Sequence, residues 1–162
     1  MLKKPFFSIV LHTYNQSEFL KKCINSILFQ TFKNWELIII NNNSIDDTLR
    51  VIKNFNDKRI RTFNINNQGI LGKSRNLGIK KSKSDWICFI DTDDKWYPKK
   101  LEEVKIYIEN TKGVLFYHDL EFENKNFLFI KKKIKDKSNS ITKPIIKYFA
   151  KNGNPIGYSS VV

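Results

Sequence analysis

Continuous apolar runs alternate along this chain with segments whose apolar residues recur every three or four positions, and that alternation restricts the fold more than any other feature. Trp35 to Ile40 is continuous in its apolar character, as expected of a strand covered on both faces. Phe6 to Leu11 reads as the strand before it. Between them Ser17 is placed to cap a helix with a buried stripe of Phe19, Leu20, Cys23, Ile24, Ile27 and Leu28. Asp46 or Asp47 starts a short helix through Leu49, Val51 and Ile52, and Arg59 to Asn64 follows as a third strand. A loop with Gly69 and Gly72 leads to a helix around Ser74 to Lys81, then to a fourth strand from Asp85 to Ile90. Pro98 suits the first turn of a helix with apolar Leu101, Val104, Ile106 and Ile108. Val114 to Tyr117 and Phe122 to Ile130 read as strands, and Ile141 to Ala150 as a helix. Strands alternating with helices imply an α/β fold, a mainly parallel sheet flanked by helices.

The 162 residues fit one domain. Apolar residues make up 41% and aromatics 14%, enough to build a core and to exclude a disordered or collagenous chain. The basic-then-apolar start lacks a small-residue cleavage pattern and reads as the first strand, not a secretion signal. No apolar run is long enough to span a bilayer. Cys23 and Cys88 lack metal-ligand spacing and read as small core residues of a reducing compartment. The net charge of +13 favours an anionic partner. The run Lys131 to Lys137 reads as a solvated segment, with a membrane-surface role as the alternative.

Asp91-Thr92-Asp93-Asp94 stands where the fourth strand should end. Asp is a common turn residue, but three carboxylates within four residues repel one another unless a cation lies between them. Mg2+ and Mn2+ prefer such oxygens. His12-Thr13-Tyr14-Asn15 and Asn41-Asn42-Asn43-Ser44 end the first and second strands, and ligands of open α/β sheets bind at such ends. The three clusters would line one crevice suited to a nucleotide held through base, ribose and metal-bound diphosphate. Lys73 and Arg75 could supply positive charge for the phosphates, Arg75 as the better bidentate clamp.

Five segments in order resemble a family 2 glycosyltransferase of the GT-A, Rossmann-like fold: Ser8 to Asn15, Ser26 to Thr31, Glu36 to Ser44, Asn67 to Gly78, and Phe89 to Asp94. The resemblance implies a single domain over 1–162, with residues 1–118 as the nucleotide-sugar-binding part and 119–162 as an incomplete start of the acceptor side. It implies a nucleotide-sugar donor and Mn2+ or Mg2+ bound through an Asp-x-Asp motif. That motif falls on Asp91 and Asp93, with Asp93 the principal ligand, Asp91 shared between ribose and metal, and Asp94 in support. Tyr14 would pack on the base, near Thr13 and the His12 backbone. The family setting also implies inverting transfer to a glycan or lipid-linked acceptor in cell-surface polysaccharide biosynthesis. The expected location is the cytoplasm, with peripheral contact at the inner face of the cell membrane.

The chain departs from the family pattern at His12, usually Pro, and at Asn41 and Asn42, usually an acidic pair. An Asn amide can accept from the N–H of uracil and donate to a carbonyl, whereas guanine's adjacent donors suit a carboxylate; Asn42 therefore favours a UDP-sugar over a GDP-sugar. The resemblance places the catalytic base beyond Val162, so the chain is expected to bind donor and metal with weak or absent transfer. His118, Asp119, Glu121 and Glu123 are the alternatives within the sequence. A nucleotide-sugar-binding module without catalysis fits the same residues. A basic nucleic-acid-binding protein fits the charge but has no recognisable motif for it.

Overall fold

The structure, a computed structural model, describes residues 4–110. The strands and helix expected after 113, and His118, Asp119, Glu121 and Glu123, lie outside the described residues. Within them the order is β1 (Phe7–Thr13), α1 (Ser17–Leu28), β2 (Trp35–Asn41), α2 (Thr48–Lys53), β3 (Ile60–Asn64), α3 (Leu71–Lys81), β4 (Trp86–Asp91) and α4 (Lys100–Asn110). The strands form one sheet in the order β3-β2-β1-β4, and every pairing is parallel. The first three strands step outward in one direction, whereas β4 returns to the other side of β1. Strand order therefore reverses between β1 and β4, the place where open α/β sheets bind ligands.

Alternation along each strand divides the core between two faces. Phe7, Ile9 and Leu11 of β1, Leu37 and Ile39 of β2, and Cys88 and Ile90 of β4 share one cluster with Leu20, Cys23, Ile24 and Ile27 of α1. Burying each large apolar side chain contributes about 1.5–3 kcal/mol, so this face is the main source of stability. Phe19, expected in that stripe, is 44% exposed, and Ile106 of α4 is 52% exposed. Both sit off the 3-4 spacing that brings Leu20, Cys23, Ile24 and Ile27, or Leu101, Val104 and Ile108, to the sheet. On the other face α3 comes unusually close to β1. A Cβ built on Gly78 would lie 2.3 Å from Val10 Cγ1, so only glycine allows this approach.

The N-terminal ends of the strands are tied by a buried polar cluster. Glu36, 5% exposed, accepts from Ser8 Oγ at 2.7 Å, Arg61 Nη1 at 2.9 Å and the Lys83 amide at 2.7 Å. Three donors from β1, β3 and the α3–β4 turn offset the cost of burying its carboxylate.

Helix starts depart from the local expectation. Ser17 is the first residue of α1 rather than its cap, and no side chain from Gln16 caps the helix. The Asp46 carboxylate does so from the next loop, accepting from the Ser17 amide at 3.1 Å and the Thr48 amide at 3.0 Å. One carboxylate thus serves the N-termini of α1 and α2, where peptide dipoles favour negative charge. α3 starts at Leu71, earlier than expected, with Gly72 inside its first turn. Pro98 lies two residues before α4 rather than within it.

Gly78→Ala is expected to lower stability by about 1–3 kcal/mol through overpacking, despite alanine's better helix propensity. Thermal unfolding should show partial recovery when Val10→Ala is added. Slight desolvation raises the Asp46 carboxyl, but hydrogen bonds from Thr48 and Ser17 outweigh it and bring the group from 3.8 to about 2. A depressed carboxyl stabilises the fold above its unfolded value and loses that contribution as it protonates. Asp46→Ala should therefore cost about 1 kcal/mol at neutral pH. The stability gap from the wild type should narrow as pH falls from 3.8 toward about 2.

Candidate functional site

The strand-end clusters meet at the C-terminal edge of the sheet. Parallel register sets Thr13 beside Asn41, Asn41 beside Asn64, and His12 beside Asp91. The polar residues that looked like turns in the sequence are thus partly the last residues of the strands. Beyond them lies a cleft of about 510 Å³, with His12, Thr13, Tyr14, Asn42, Asn67 and Gln68 among its lining residues.

Side-chain amides build the wall of this cleft. Asn41 is buried and internally committed: its Nδ2 donates to Asn64 Oδ1 at 3.0 Å and its Oδ1 accepts from the Ser44 amide at 3.2 Å. Asn42 Oδ1 accepts from the Asn67 amide at 2.8 Å. Asn67, 2% exposed, in turn donates through Nδ2 to Ser74 Oγ and accepts the Gly69 amide on Oδ1, both at 2.9 Å. Gln68 and Gly69 have positive φ of 55° and 77°, and the Cβ-less Gly69 lowers the strain of that turn. Lys73 does not line the cleft; its Nζ donates to Gln68 Oε1 at 2.8 Å from the first turn of α3. Tyr14 is 54% exposed at the cleft, and Thr13 Oγ1 is buried with no hydrogen-bond partner among the described residues.

The acidic turn adjoins the cleft through His12. Asp91 Oδ1 lies 3.5 Å from His12 Nδ1 and 4.0 Å from Arg75 Nη2. Burial pushes the Asp91 carboxyl up to about 6; Arg75 opposes this, while Asp94 and Asp93 add to it. Burial also lowers the His12 imidazole below 6.5, Arg75 lowers it further, and Asp93 opposes both. His12 is therefore neutral at pH 7 and does not balance the acidic charge. His12, Arg75 and Asp91, three of the residues expected at the site, lie together here, while Asp93 is exposed in the turn that follows.

Several residues that sequence reasoning did not single out hold this turn. Thr92 is 2% exposed, and its Oγ1 donates to the His12 carbonyl at 2.6 Å. That bond places Thr92 inside while its acidic neighbours stay more exposed. Lys100 is 8% exposed with Nζ 3.6 Å from the centre of the Trp96 ring. Burial brings its ammonium down to about 7, against the opposing influence of Cys88 and Asp94. Gln30, wholly buried at the end of α1, bonds to the backbone on both sides of Pro98. It stands just beyond the end of α1, three positions after the core residue Ile27. Among the described residues no three His, Cys, Asp or Glu side chains converge as metal ligands.

Comparison with known proteins gives consistent matches. An uncharacterized glycosyltransferase of Rickettsia bellii is 39% identical over 120 residues, covering 73% of this chain and 17% of the relative. A UDP-Glc:alpha-D-GlcNAc-diphosphoundecaprenol beta-1,3-glucosyltransferase, WfgD of Escherichia coli, is 33% identical over 121 residues, covering 74% of this chain and 47% of the relative. The chain thus spans less than half the length of either. The crystal structure of S. aureus TarS 1-349 in complex with UDP-GlcNAc superposes with a TM-score of 0.70 at 23% identity, over 75% of this chain and 36% of TarS. That likeness shows the shared GT-A fold. The model of glycosyl transferase family 2 matches residues 8–160. With its parallel sheet and the polar edge that follows from it, the chain belongs to glycosyl transferase family 2.

Proposed function

We propose that residues 1–118 form the nucleotide-sugar-binding part of an inverting glycosyltransferase that takes a UDP-linked sugar to a glycan or lipid-linked acceptor. The observation that carries this reading is the junction at His12: one residue lines the amide-walled cleft and also meets Asp91 at the reversal of strand order. Such a junction suits a ligand with a flat polar base at one end and a diphosphate at the other.

Tyr14 offers an exposed ring on which a base can pack. The cleft geometry refines the role of Asn42. Its Oδ1 already accepts from the Asn67 amide, so one lone pair remains for the uracil N–H while Nδ2 can donate to a neighbouring carbonyl. Asn41 has no part in base reading, because its side chain is buried against Asn64 and Ser44 and does not line the cleft. Asp91 serves the ribose or a metal, and Arg75, beside it, offers the diphosphate a planar fork of donors.

The donor set fits a hard divalent cation, because Mg2+-type sites use one or two carboxylates and leave the rest to water and substrate phosphate. Asp93, with Asp91, would hold Mn2+ or Mg2+. When bound, the ion neutralises charge on the departing diphosphate. The chain's own residues keep the two carboxylates beside the cleft: Thr92 anchors the turn inward, and Arg75 opposes the burial and the acidic neighbours that raise Asp91. Contact with the cytoplasmic face of a membrane belongs to the same proposal; no described helix is long and apolar enough to cross one.

Calorimetric titration with Mn2+ present should show UDP binding at least about tenfold tighter than GDP, a difference of about 1.4 kcal/mol. Equal or tighter GDP binding would defeat the assignment of Asn42. Asp93→Ala should abolish the Mn2+-dependent gain in UDP affinity while leaving thermal stability nearly unchanged, since the side chain is exposed. A retained Mn2+ effect in that variant would remove Asp93 from the metal site.

A further inference from the structure

Residues 92–99, between β4 and α4, have no regular secondary structure, yet together with Asp91 at the end of β4 they carry the carboxylates of the proposed diphosphate site. An irregular segment keeps a fixed shape only if its backbone groups find partners. Here a polar stripe on α1 and the residues just after it provides them. Cys23 Sγ lies 3.6 Å from the Asp91 carbonyl. Ser26 Oγ accepts from the Trp96 amide at 3.2 Å and donates to the Cys23 carbonyl at 2.7 Å. Gln30 Nε2 donates to the Tyr97 carbonyl at 2.8 Å and the Ser26 carbonyl at 3.1 Å, while Oε1 accepts from the Leu101 amide at 3.0 Å. The Thr31 amide donates to the Pro98 carbonyl at 2.8 Å. Its Oγ1 reaches Glu102 Oε2 at 2.9 Å.

Gln30 is the centre of this arrangement. Its side chain is wholly buried, and the three bonds join α1, the irregular segment and the first turn of α4. Both amide hydrogens and the carbonyl oxygen are in use. Few other side chains could replace it: a carboxylate would lose both donors, and a hydrocarbon would leave three backbone groups with one partner fewer. The residues that follow a helix locked into the core thereby hold the backbone at Tyr97 and Leu101, just downstream of the acidic turn. A buried amide that only stabilised the helix end would need no bonds on both sides of Pro98.

We propose that Gln30, supported by Ser26 and Thr31, is a positioning residue for the acidic turn, setting the place of Asp91 and Asp93 for a divalent cation and diphosphate without touching either. The inference rests on the proposed donor site for its ligand readout, but the placement of the turn is testable without ligand. Gln30→Met keeps the length and removes every side-chain hydrogen bond. Gln30→Glu keeps an acceptor for the Leu101 amide and loses both donors; it serves as the second variant should the first fail to fold.

Amide hydrogen exchange on the ligand-free protein should show faster exchange in 92–101 for Gln30→Met, with 41–44 and 66–71 unchanged. With ligand, the Mn2+-dependent gain in UDP affinity should fall roughly tenfold or more, as for groups that orient metal ligands, while metal-free UDP binding stays the same. Gln30→Glu, which sets a carboxylate oxygen against the Tyr97 and Ser26 carbonyls, should raise exchange in 92–101 at least as much as Gln30→Met. Unchanged exchange in 92–101, or exchange raised equally across the whole domain, overturns the positioning role. If wild-type protein binds no UDP, the donor-site proposal fails, and the exchange pattern alone decides whether Gln30 positions the turn.

Discussion

Everything at the site depends on β1 being hydrogen-bonded on both sides in parallel register. Pairing with β2 aligns Thr13 with Asn41, and pairing with β4 aligns His12 with Asp91. Two clusters almost eighty residues apart in sequence therefore share one edge. The register is firmly fixed, because a slip by one residue would exchange Phe7, Ile9 and Leu11 with the residues that face α3. The contact of Gly78 with Val10 adds a second constraint on the same strand, since α3 must lie close enough for Arg75 to reach Asp91.

The electrostatics of the edge follow from this geometry. Half-buried Asp91 stands beside the His12 imidazole in a turn shared with Asp93 and Asp94, and the Arg75 guanidinium lies 4.0 Å from its carboxylate. Burial and mutual repulsion therefore push Asp91 up to about 6, with Arg75 opposing. Like charges held together against their own repulsion, next to a ligand-sized cleft, point to a function that uses the charge. The Glu36 cluster at the other end of the sheet is the contrasting case. There each carboxylate oxygen has donors, and the role is structural.

Much of this was legible in the sequence, and the failures have specific causes. The apolar run Leu37 to Ile40 revealed a strand covered on both faces, and the crossover helices between runs made the sheet parallel. Two of the strand-end polar clusters, after β1 and β2, contribute to the cleft lining as expected, while the acidic turn adjoins it through His12. The cap of α1 could not be read locally, because its acceptor is Asp46, 29 residues away. Asn41 and Asn42 look equivalent in sequence, yet one amide is spent on Asn64 and Ser44 while the other faces the cleft lining. Gln30 lay within a recognisable segment, but its importance comes from three backbone partners supplied by helix packing. Phe19 shows the opposite error, in which an apolar residue outside the stripe is counted with it.

On the proposed reading, the cleft and the acidic turn form one nucleotide-diphosphate site joined at His12. Amide chemical-shift mapping with UDP and a diamagnetic Mg2+ salt tests it most directly. The account predicts saturable shifts at Thr13, Tyr14, Asn42 and Asn67 together with Asp91, Thr92 and Asp93, the latter group depending on Mg2+. Shifts confined to surface lysines, or shifts at the cleft that leave the acidic turn untouched with and without Mg2+, would contradict it.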